Sequence, residues 1–375
     1  MDTEDWPRWL DPEARDRLEL TRRLAREQLA PIAAAGTPGR INRPLIKALG
    51  DNDVLAQIFP SDHPVSAITL CLLREGLAGG STDAETAFAL QGLGAYPIVQ
   101  SGSDDLRARW IPGVARGEIV AGFALTEPDA GTDAAALSLV AEKADAGYRL
   151  SGTKKWISNA PDADVFSLFA RTADGGARGV TAFVVPGDAA GLSGEPLDLL
   201  APHAIGTLEL DGVFVADDHI LGEVDKGFGV AMRTLDLFRP SVGAFAVGMA
   251  QAALDAATDH AGRRMSMGQP LREFQAVSHQ LADAAARVKA ARLLVYDAAA
   301  IYDSGDRVTK AAAIAKLYAT ETAQWVIDTA LQIHGASGLE KGHLLEHLYR
   351  DVRATRIYEG TSEIQREIVA RELYR

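Results

Sequence analysis

Cysteine is nearly absent: Cys71 is the only one in 375 residues. That excludes a disulfide framework and a Cys-based metal site. No run of about eighteen apolar residues occurs, so no membrane-spanning helix is expected. Cations are in deficit, with 38 Lys and Arg against 51 Asp and Glu and a net charge of −13. The acidic excess argues against nucleic acid or an anionic membrane as partner, while leaving room for a local basic patch. The opening stretch MDTEDWPRWLDPEARDR has neither a secretory apolar core nor transit character, so a cytoplasmic protein is expected. Familiar nucleotide and hydrolase signatures are missing too. No G-x-G-x-x-G follows a strand pattern, and neither G-x-x-x-x-G-K-[ST] nor G-x-S-x-G occurs.

What is present reads as an ordinary globular chain, 47% apolar and 24% charged, long enough for two or three domains. Over 12–117 the pattern is helical. Leu18, Leu20, Leu24 and Leu29 among alternating charges predict an amphipathic helix over 12–35, with further helices at 43–57, 64–78, 83–101 and 104–117. Over 120–227 Gly and Pro become frequent and short alternating runs appear, at 180–185 and 207–210, with turn signals at Asp174-Gly175 and Asp211-Gly212. From 230 the chain is helical again. Phe274, Leu281, Val288, Val295 and Tyr302 recur every seven residues, with Ala284, Ala285 and Ala291 beside them, the spacing of a bundle seam. Helices are expected near 232–263, 271–304, 307–335 and 362–373. The chain is therefore an α+β multidomain protein, with an all-α domain at 1–119, a β domain at 120–228 and a helical bundle at 229–375.

Several stretches carry candidate chemistry. Glu359 lies in a turn before the last helix, followed by Gly360, where backbone can approach a ligand. Ser362 and Gln365 form the S-x-x-Q of a capping box that starts this helix. The loop 123–133, FALTEPDAGTD, offers backbone N–H and hydroxyl groups that can cradle a phosphate or a polar ring edge. In GTKKWISNA, after a strand at 148–150, alternation places Trp156 and Ser158 on one face. Arg263 and Arg264 sit in a helix-ending basic turn. His343-Leu344-Leu345-Glu346-His347 matches H-x-x-E-H, but the segment offers no third ligand for an open zinc site, so these histidines read as solvated or interfacial.

IYEGTSEIQREIVARELYR resembles the C-terminal signature of the acyl-CoA dehydrogenase family, and the other motifs stand in the family's order. TEPDAGTD is similar to its T-E-P-x-A-G-[ST]-D, and GTKKWISNA to its G-x-K-x-[WY]-I-[ST]-N-[GA]. RRMSMGQP is similar to R-x-x-F-G-x-P, and QIHGASG to Q-x-H-G-G-x-G. The resemblance implies an N-terminal helical domain, a middle β-barrel-like domain and a C-terminal four-helix bundle, with FAD as cofactor. Glu359 is then the base that removes the α-proton of an acyl thioester. Phe123, Leu125, Thr126, Gly131, Thr132, Trp156, Ile157 and Ser158 border the flavin. Arg264, Met267 and Gln275 bind its pyrophosphate half, with Gln332, Gly335 and Ala336 near the adenosine half; in the family these bind the FAD of a neighbouring subunit. Thr361 and Glu363 complete the cofactor set. Thr132, Asp236, Phe238, Arg239 and Gly360 fall where the family binds substrate. A homodimer or homotetramer follows, with an electron-transfer-flavoprotein-like acceptor.

The sequence departs from the family pattern in places. Phe238 stands where some members place a small residue and others an alternative catalytic Glu, which predicts a short, branched or cyclic acyl group. The P-E-x-Y-G-G loop is missing around 60–65. The R-G-S-x-T stretch is reduced to Pro202-His203-Ala204-Ile205-Gly206, in a region that shapes the CoA channel. SNAPDADVF and AVSHQLAD look like segments of relatives that oxidise acyl groups on carrier proteins. An acyl-CoA dehydrogenase is therefore the leading expectation. An acyl-carrier-protein-linked dehydrogenase or an acyl-CoA oxidase is the alternative, and a non-catalytic flavin-binding protein the reading from another class.

Overall fold

The computed structural model describes residues 6–60 and 63–375. α1 (Pro12–Leu24) starts at Asp11, whose carboxylate accepts from Glu13 N, with Pro12 pre-set for the first turn. It continues through a π-turn (Ala25–Leu29) into α2 (Ala30–Ala34). Leu18, Thr21, Ala25 and Leu29 are buried, whereas Leu20 is 55% exposed. Steps of three and four residues carry the inward stripe from 18 to 21, so Leu20 faces out despite its type. α3 (Arg43–Asp51) ends short of the expected 57, at a turn in which Asp53 has φ 56°. α4 (Ala67–Ala78), α5 (Thr82–Ser101) and α6 (Asp104–Ala115) follow. The part of the missing loop at 61–62 lies outside the described residues.

The middle segment forms one sheet of β1 (Ala121–Ala124), β2 (Val140–Ala144), β3 (Gly147–Ser158), β4 (Val165–Arg171), β5 (Val180–Pro186), β6 (Leu192–Ser193), β7 (Ile205–Ala216) and β8 (Ile220–Leu221). Their order is β6-β7-β3-β2-β4-β5-β8, with β1 parallel to β4. β4 and β5 are buried along nearly their whole length, Ser167 and Thr181 included, so 180–185 does not alternate between faces as expected but is covered on both. Asp174-Gly175 does lie in the connection from β4 to β5, with Gly175 at φ 124°. Asp211-Gly212 does not make a turn. It lies inside β7 at a bulge, where Leu150 pairs with Val213 and Gly152 with Leu210, and Gly212 takes φ 64°. A left-handed glycine serves a bulge as well as a turn, so the dipeptide does not separate the two.

The remainder comprises α7 (Gly227–Arg263), a short hairpin of β9 (Met265–Ser266) and β10 (Gln269–Pro270), α8 (Gln275–Asp303), α9 (Thr309–His334), α10 (Leu344–Thr355) and α11 (Ser362–Glu372). α9 packs against α8, α10 and α11. In the α8 seam Ala284, Val288, Ala291 and Val295 are buried, whereas Ala285 is exposed. The chain divides into two units. The bundle unit takes the N-terminal residues to Ala30, Ser66–Glu85 and Asp236–Arg375; the β unit takes Pro31–Val65 and Thr86–Leu235. Polar contacts lock α4 into the bundle. Asp303 accepts from Ala67 N at 2.6 Å and Ser66 Oγ at 2.7 Å, and buried Glu75 pairs with Arg292 at 2.8 Å. No helix among the described residues is long and apolar enough to cross a membrane.

Candidate active site

In the bundle unit, Glu359 and Gly360 are consecutive left-handed residues, with φ 53° and 92°. A glutamate in this region is strained, and such strain persists only where surrounding bonds enforce it. Here they do. Gln365 Nε2 donates to Glu359 O at 3.1 Å and Gly360 O at 3.0 Å. Arg239 Nε reaches Glu359 O at 3.3 Å, and Lys316 Nζ reaches Gly360 O at 2.8 Å. A Cβ on Gly360 would stand 2.6 Å from Gln365 Nε2. The cap differs from the S-x-x-Q expectation. Thr361 is the N-cap, its hydroxyl accepting from Ile364 N, while Ser362 donates to Glu321 at 2.6 Å. Gln365 therefore ties down the turn's carbonyls instead of closing a capping box, because a reversed turn points those carbonyls at it.

With the backbone held, the Glu359 side chain is left free to act. Its Oε2 is buried without a hydrogen-bond partner among the described residues. Burial pushes its carboxyl up, against the opposing charges of Arg74, Arg239 and Lys316. Burial likewise brings Lys316 down to about 8, with the Glu359 charge opposing. On α7, Asp236 lies 3.5 Å from Arg239, and Phe238 is 2% exposed. Burial raises the Asp236 carboxyl and lowers the Arg239 guanidinium, each against the other's charge. Glu363 is exposed at the start of α11, where backbone N–H and the Thr361 hydroxyl hold its carboxyl low.

Other motif residues of this unit lie on its surface. Met267-Gly268, with φ 48° and 83°, is the two-residue turn of the β9–β10 hairpin, so the basic turn is a hairpin that follows α7. Met267 is 94% exposed. The exposed Arg264 guanidinium makes no hydrogen bond or ion pair among the described residues. Gln275 opens α8 and is exposed. Gln332, Gly335 and Ala336 are exposed at the end of α9. Gly335, at φ 63° and ψ −142°, occupies a region only glycine tolerates. Ala336 has no positive φ, so alanine fits there. His343 caps α10 by accepting from Leu345 N, and His347 Nε2 contacts Asp351 at 3.0 Å, so the two ends of H-x-x-E-H serve separate structural bonds.

In the β unit, Phe123 on β1 lies 5.0 Å from the Phe169 ring, and Leu125 is buried. Glu127 to Ala130 closes a tight turn in which Pro128 and Asp129 are central. Asp129 has no positive φ there, so a side chain fits without strain. Gly131 and Thr132 are exposed beyond it, and a Cβ on Gly131 would meet nothing within 4 Å. On β3 the simple alternation breaks at Trp156. The ladder skips from Lys155 opposite Thr207 to Ile157 opposite Gly206, and Trp156 has φ 57°. This bulge leaves the indole 44% exposed, between half-buried Lys155 and buried Ile157. Ser158, half-buried, pairs with Ile205.

Glu127 and Lys154 were not singled out by sequence, yet they join the two motif segments. Lys154 Nζ donates to Glu127 Oε1 at 2.8 Å and Leu125 O at 3.0 Å. The same carboxylate accepts from Ser138 N at 2.6 Å and Leu139 N at 2.9 Å. Burial alone would raise Glu127, but Lys154 and these N–H groups outweigh it and hold the carboxyl low. Burial brings Lys154 down to about 8, with Glu127 opposing. Asn159 ties the end of β3 to Ala121 O at 2.8 Å. The available signal was that each residue is a fixed letter of its motif.

Comparison with known proteins agrees along the chain. Models of the acyl-CoA dehydrogenase N-terminal, middle and C-terminal domains match residues 11–118, 122–213 and 225–374. Cyclohexane-1-carbonyl-CoA dehydrogenase of Geobacter metallireducens is 35% identical over 363 residues, covering 95% of this chain and 96% of the relative. The structure of butyryl-CoA dehydrogenase from Megasphaera elsdenii superposes with a TM-score of 0.92 at 33% identity, covering 99% of this chain and 100% of that one. A structure of PigA with FAD and proline superposes at 0.91 with 26% identity, covering 98% and 99%. With a helical, a β and a second helical domain in that order, the chain belongs to the acyl-CoA dehydrogenase family of oxidoreductases, which act on CH–CH bonds.

Proposed function

We propose that this protein is an FAD-dependent acyl-thioester dehydrogenase that forms an α,β double bond. The observation that carries the reading is the unpartnered, buried Oε2 of Glu359 on a turn whose Glu359 and Gly360 carbonyls are both bonded down. A carboxylate with raised proton affinity and no competing donor is suited to take a weakly acidic α-proton. Among the described residues the Glu359 N–H finds no acceptor, so it is free to donate to the thioester oxygen and stabilise enolate character.

The residues present fit FAD. Trp156 offers an exposed indole face for stacking, and the open space at Gly131 lets a ligand approach the backbone. Phe123, Leu125, Thr126, Ile157 and Ser158 would border the ring and Thr132 its phosphate. The free guanidinium of Arg264 suits a pyrophosphate; with Met267, Gln275, Gln332, Gly335 and Ala336 it would serve a neighbouring subunit's cofactor in a homodimer or homotetramer. Thr361 and Glu363 complete the set. The chemistry FAD supplies when bound is acceptance of two electrons from the β-carbon. Asp236, Arg239 and Gly360 would hold substrate. Buried Phe238 bounds the acyl group, favouring a short, branched or cyclic chain as a CoA ester. The brevity of 202–206 supports a second reading, a carrier-protein thioester. A flavoprotein of the electron-transferring kind would reoxidise the enzyme.

The test is anaerobic bleaching of the flavin by a panel of acyl-CoA and acyl-carrier-protein thioesters. One ester that bleaches the wild type should fail with Glu359→Gln, slowed about a thousandfold, while flavin content is unchanged. Unaltered bleaching by that variant removes the base assignment.

A further inference from the structure

The bundle unit buries a charge pair that the proposed chemistry leaves idle. Arg74 on α4 and Glu85 in the first turn of α5 are 3% and 1% exposed. Arg74 Nε donates to Glu85 Oε1, and its Nη1 donates to Ser241 Oγ at 2.8 Å. The guanidinium also lies 5.8 Å from the centre of the Phe245 ring, and Ser241 donates to Phe238 O at 2.6 Å. Arg74 is thus braced on the same stretch of α7 that carries Phe238 and Arg239. The second oxygen of Glu85, Oε2, is buried and has no hydrogen-bond partner among the described residues.

A buried carboxylate oxygen without a donor loses its hydration and gains nothing in return. Such an atom calls for a partner, which a bound water, an ion or a ligand group can supply. Glu359 has the same feature, and there the substrate's proton is the missing partner. The two are linked through one cation. Arg74 exerts the strongest opposing pull on the Glu359 carboxyl, ahead of Arg239 and Lys316, and it is bonded directly to Glu85. Arg74 joins Glu85 to Ser241 on α7, and Arg239 of the same stretch bonds Glu359 O, so the two bare carboxylate oxygens belong to one polar cluster.

We propose that Glu85, held in place by Arg74, determines substrate specificity: its free Oε2 accepts a hydrogen bond from a hydroxyl or amine carried on the acyl group whose α-proton Glu359 removes. This rests on the dehydrogenase reading and narrows it from plain alkyl or cycloalkyl esters to polar ones. Arg74 occupies one oxygen and fixes the carboxylate, leaving the other for the ligand. An unsubstituted ring would leave Oε2 dry and unpaired. A cationic amine would pair with it and keep the carboxylate ionised, against the burial that otherwise pushes Glu85 up to about 7.

Three thioesters that share a six-membered ring test this: cyclohexane-1-carbonyl, 4-hydroxycyclohexane-1-carbonyl and piperidine-4-carbonyl, each supplied on CoA and on a carrier protein. The readout is the concentration dependence of anaerobic flavin bleaching. The wild type should prefer the hydroxyl and amine esters over the cyclohexane ester by about tenfold or more, as expected of a charge-assisted bond. Glu85→Gln, which keeps size and removes charge, should lose most of the amine preference. The double variant Arg74→Met/Glu85→Leu leaves no unpaired ion and should favour the cyclohexane ester; it carries the comparison if Glu85→Gln loses its flavin. A wild type that prefers the cyclohexane ester, or a preference unchanged in both variants, overturns the assignment. Silence with all three esters, in a protein that another ester of the wider acyl panel bleaches, overturns this inference alone; silence with both sets, in a protein whose flavin dithionite bleaches, removes the dehydrogenase reading with it.

Discussion

Replacing Lys154 by Met tests whether the buried pair holds the two motif segments of the β unit together. The change keeps most of the side-chain volume and removes one charge. Lys154 and Glu127 have side chains 0% and 4% exposed. Breaking such a pair by removing one partner costs about 3–5 kcal/mol, since the other charge stays buried. Glu127 would retain Ser138 N, Leu139 N and Ser138 Oγ, at 2.6, 2.9 and 2.9 Å. Three remaining donors put the cost at the low end, about 3 kcal/mol, or roughly 150-fold in local opening. With two units in the chain, a single unfolding midpoint is not a clean measure. Amide hydrogen exchange at Ser138, Leu139 and Lys155 reads the loss locally. Glu127→Gln and the double variant close a cycle, and the pair should cost about 1–3 kcal/mol less when removed together than the singles sum to. Acceleration of less than about fivefold, or strict additivity, would show that the pair holds nothing. The pH dependence has a sign as well. Lys154 lies at about 8 when folded against an ordinary 10.5, so the unfolded chain binds more protons between those values. Wild-type stability therefore gains as pH rises from 8 to 10.5, the gain is lost as pH falls back through 8, and Lys154→Met lacks this slope.

Gly360→Ala places a Cβ 2.6 Å from Gln365 Nε2 at φ 92°, and should cost about 2–4 kcal/mol through strain and two lost hydrogen bonds; bleaching should fall further than the change in Tm accounts for, and an equal Tm with full activity would contradict the turn's role. Arg264→Met removes a guanidinium that bonds nothing among the described residues, so the apoprotein's Tm should be unchanged while FAD affinity falls about tenfold or more; an unchanged FAD titration would sink the pyrophosphate assignment. Because burial holds Glu359 above its ordinary 4.5, the bleaching rate should rise with pH through an apparent pKa above 4.5 as the carboxylate forms. A rate flat from about pH 4 to 9 would count against Glu359 as base.

Sequence carried most of the architecture because it is written in period and composition. The helices at 83–101 and 104–117 fall close to α5 and α6, and the alternating run at 180–185 lies within β5. Left-handed residues are where pattern fell short. Asp211-Gly212 was legible as a reversal of φ but not as a bulge, since both need the same conformation. Trp156, Met267 and Glu359 adopt positive φ without being glycine or asparagine. No local preference announces that; only the bonds around each residue enforce it. For the same reason Ser362 read as the cap when Thr361 fills that place. The buried partners Lys154, Arg74 and Lys316 were silent because a lysine or arginine reads as surface until the carbonyl or carboxylate it meets is known.

The two units solve the same problem in the same way. Each must present a motif loop whose backbone departs from regular structure, and each has carbonyls there that water would otherwise have to satisfy. In the β unit the ammonium of Lys154 is driven onto Leu125 O, and in the bundle unit that of Lys316 onto Gly360 O, at 3.0 and 2.8 Å. A single long side chain reaches from a regular strand or helix into the irregular loop, so the loop inherits the rigidity of the element behind it. Burial brings both lysines down to about 8, each against a nearby glutamate. Glu127, bonded to its lysine and to two backbone N–H groups, is held low and structural. Glu359, pulled by three cations but bonded to none through its Oε2, is held high. One ammonium faces Glu127 and three cations face Glu359, so nearby charge alone would hold Glu359 the lower of the two; desolvation and the hydrogen bonds to the ionised form of Glu127 reverse that order. Those bonds, set against desolvation, distinguish the glutamate that braces a loop from the one left able to take a proton.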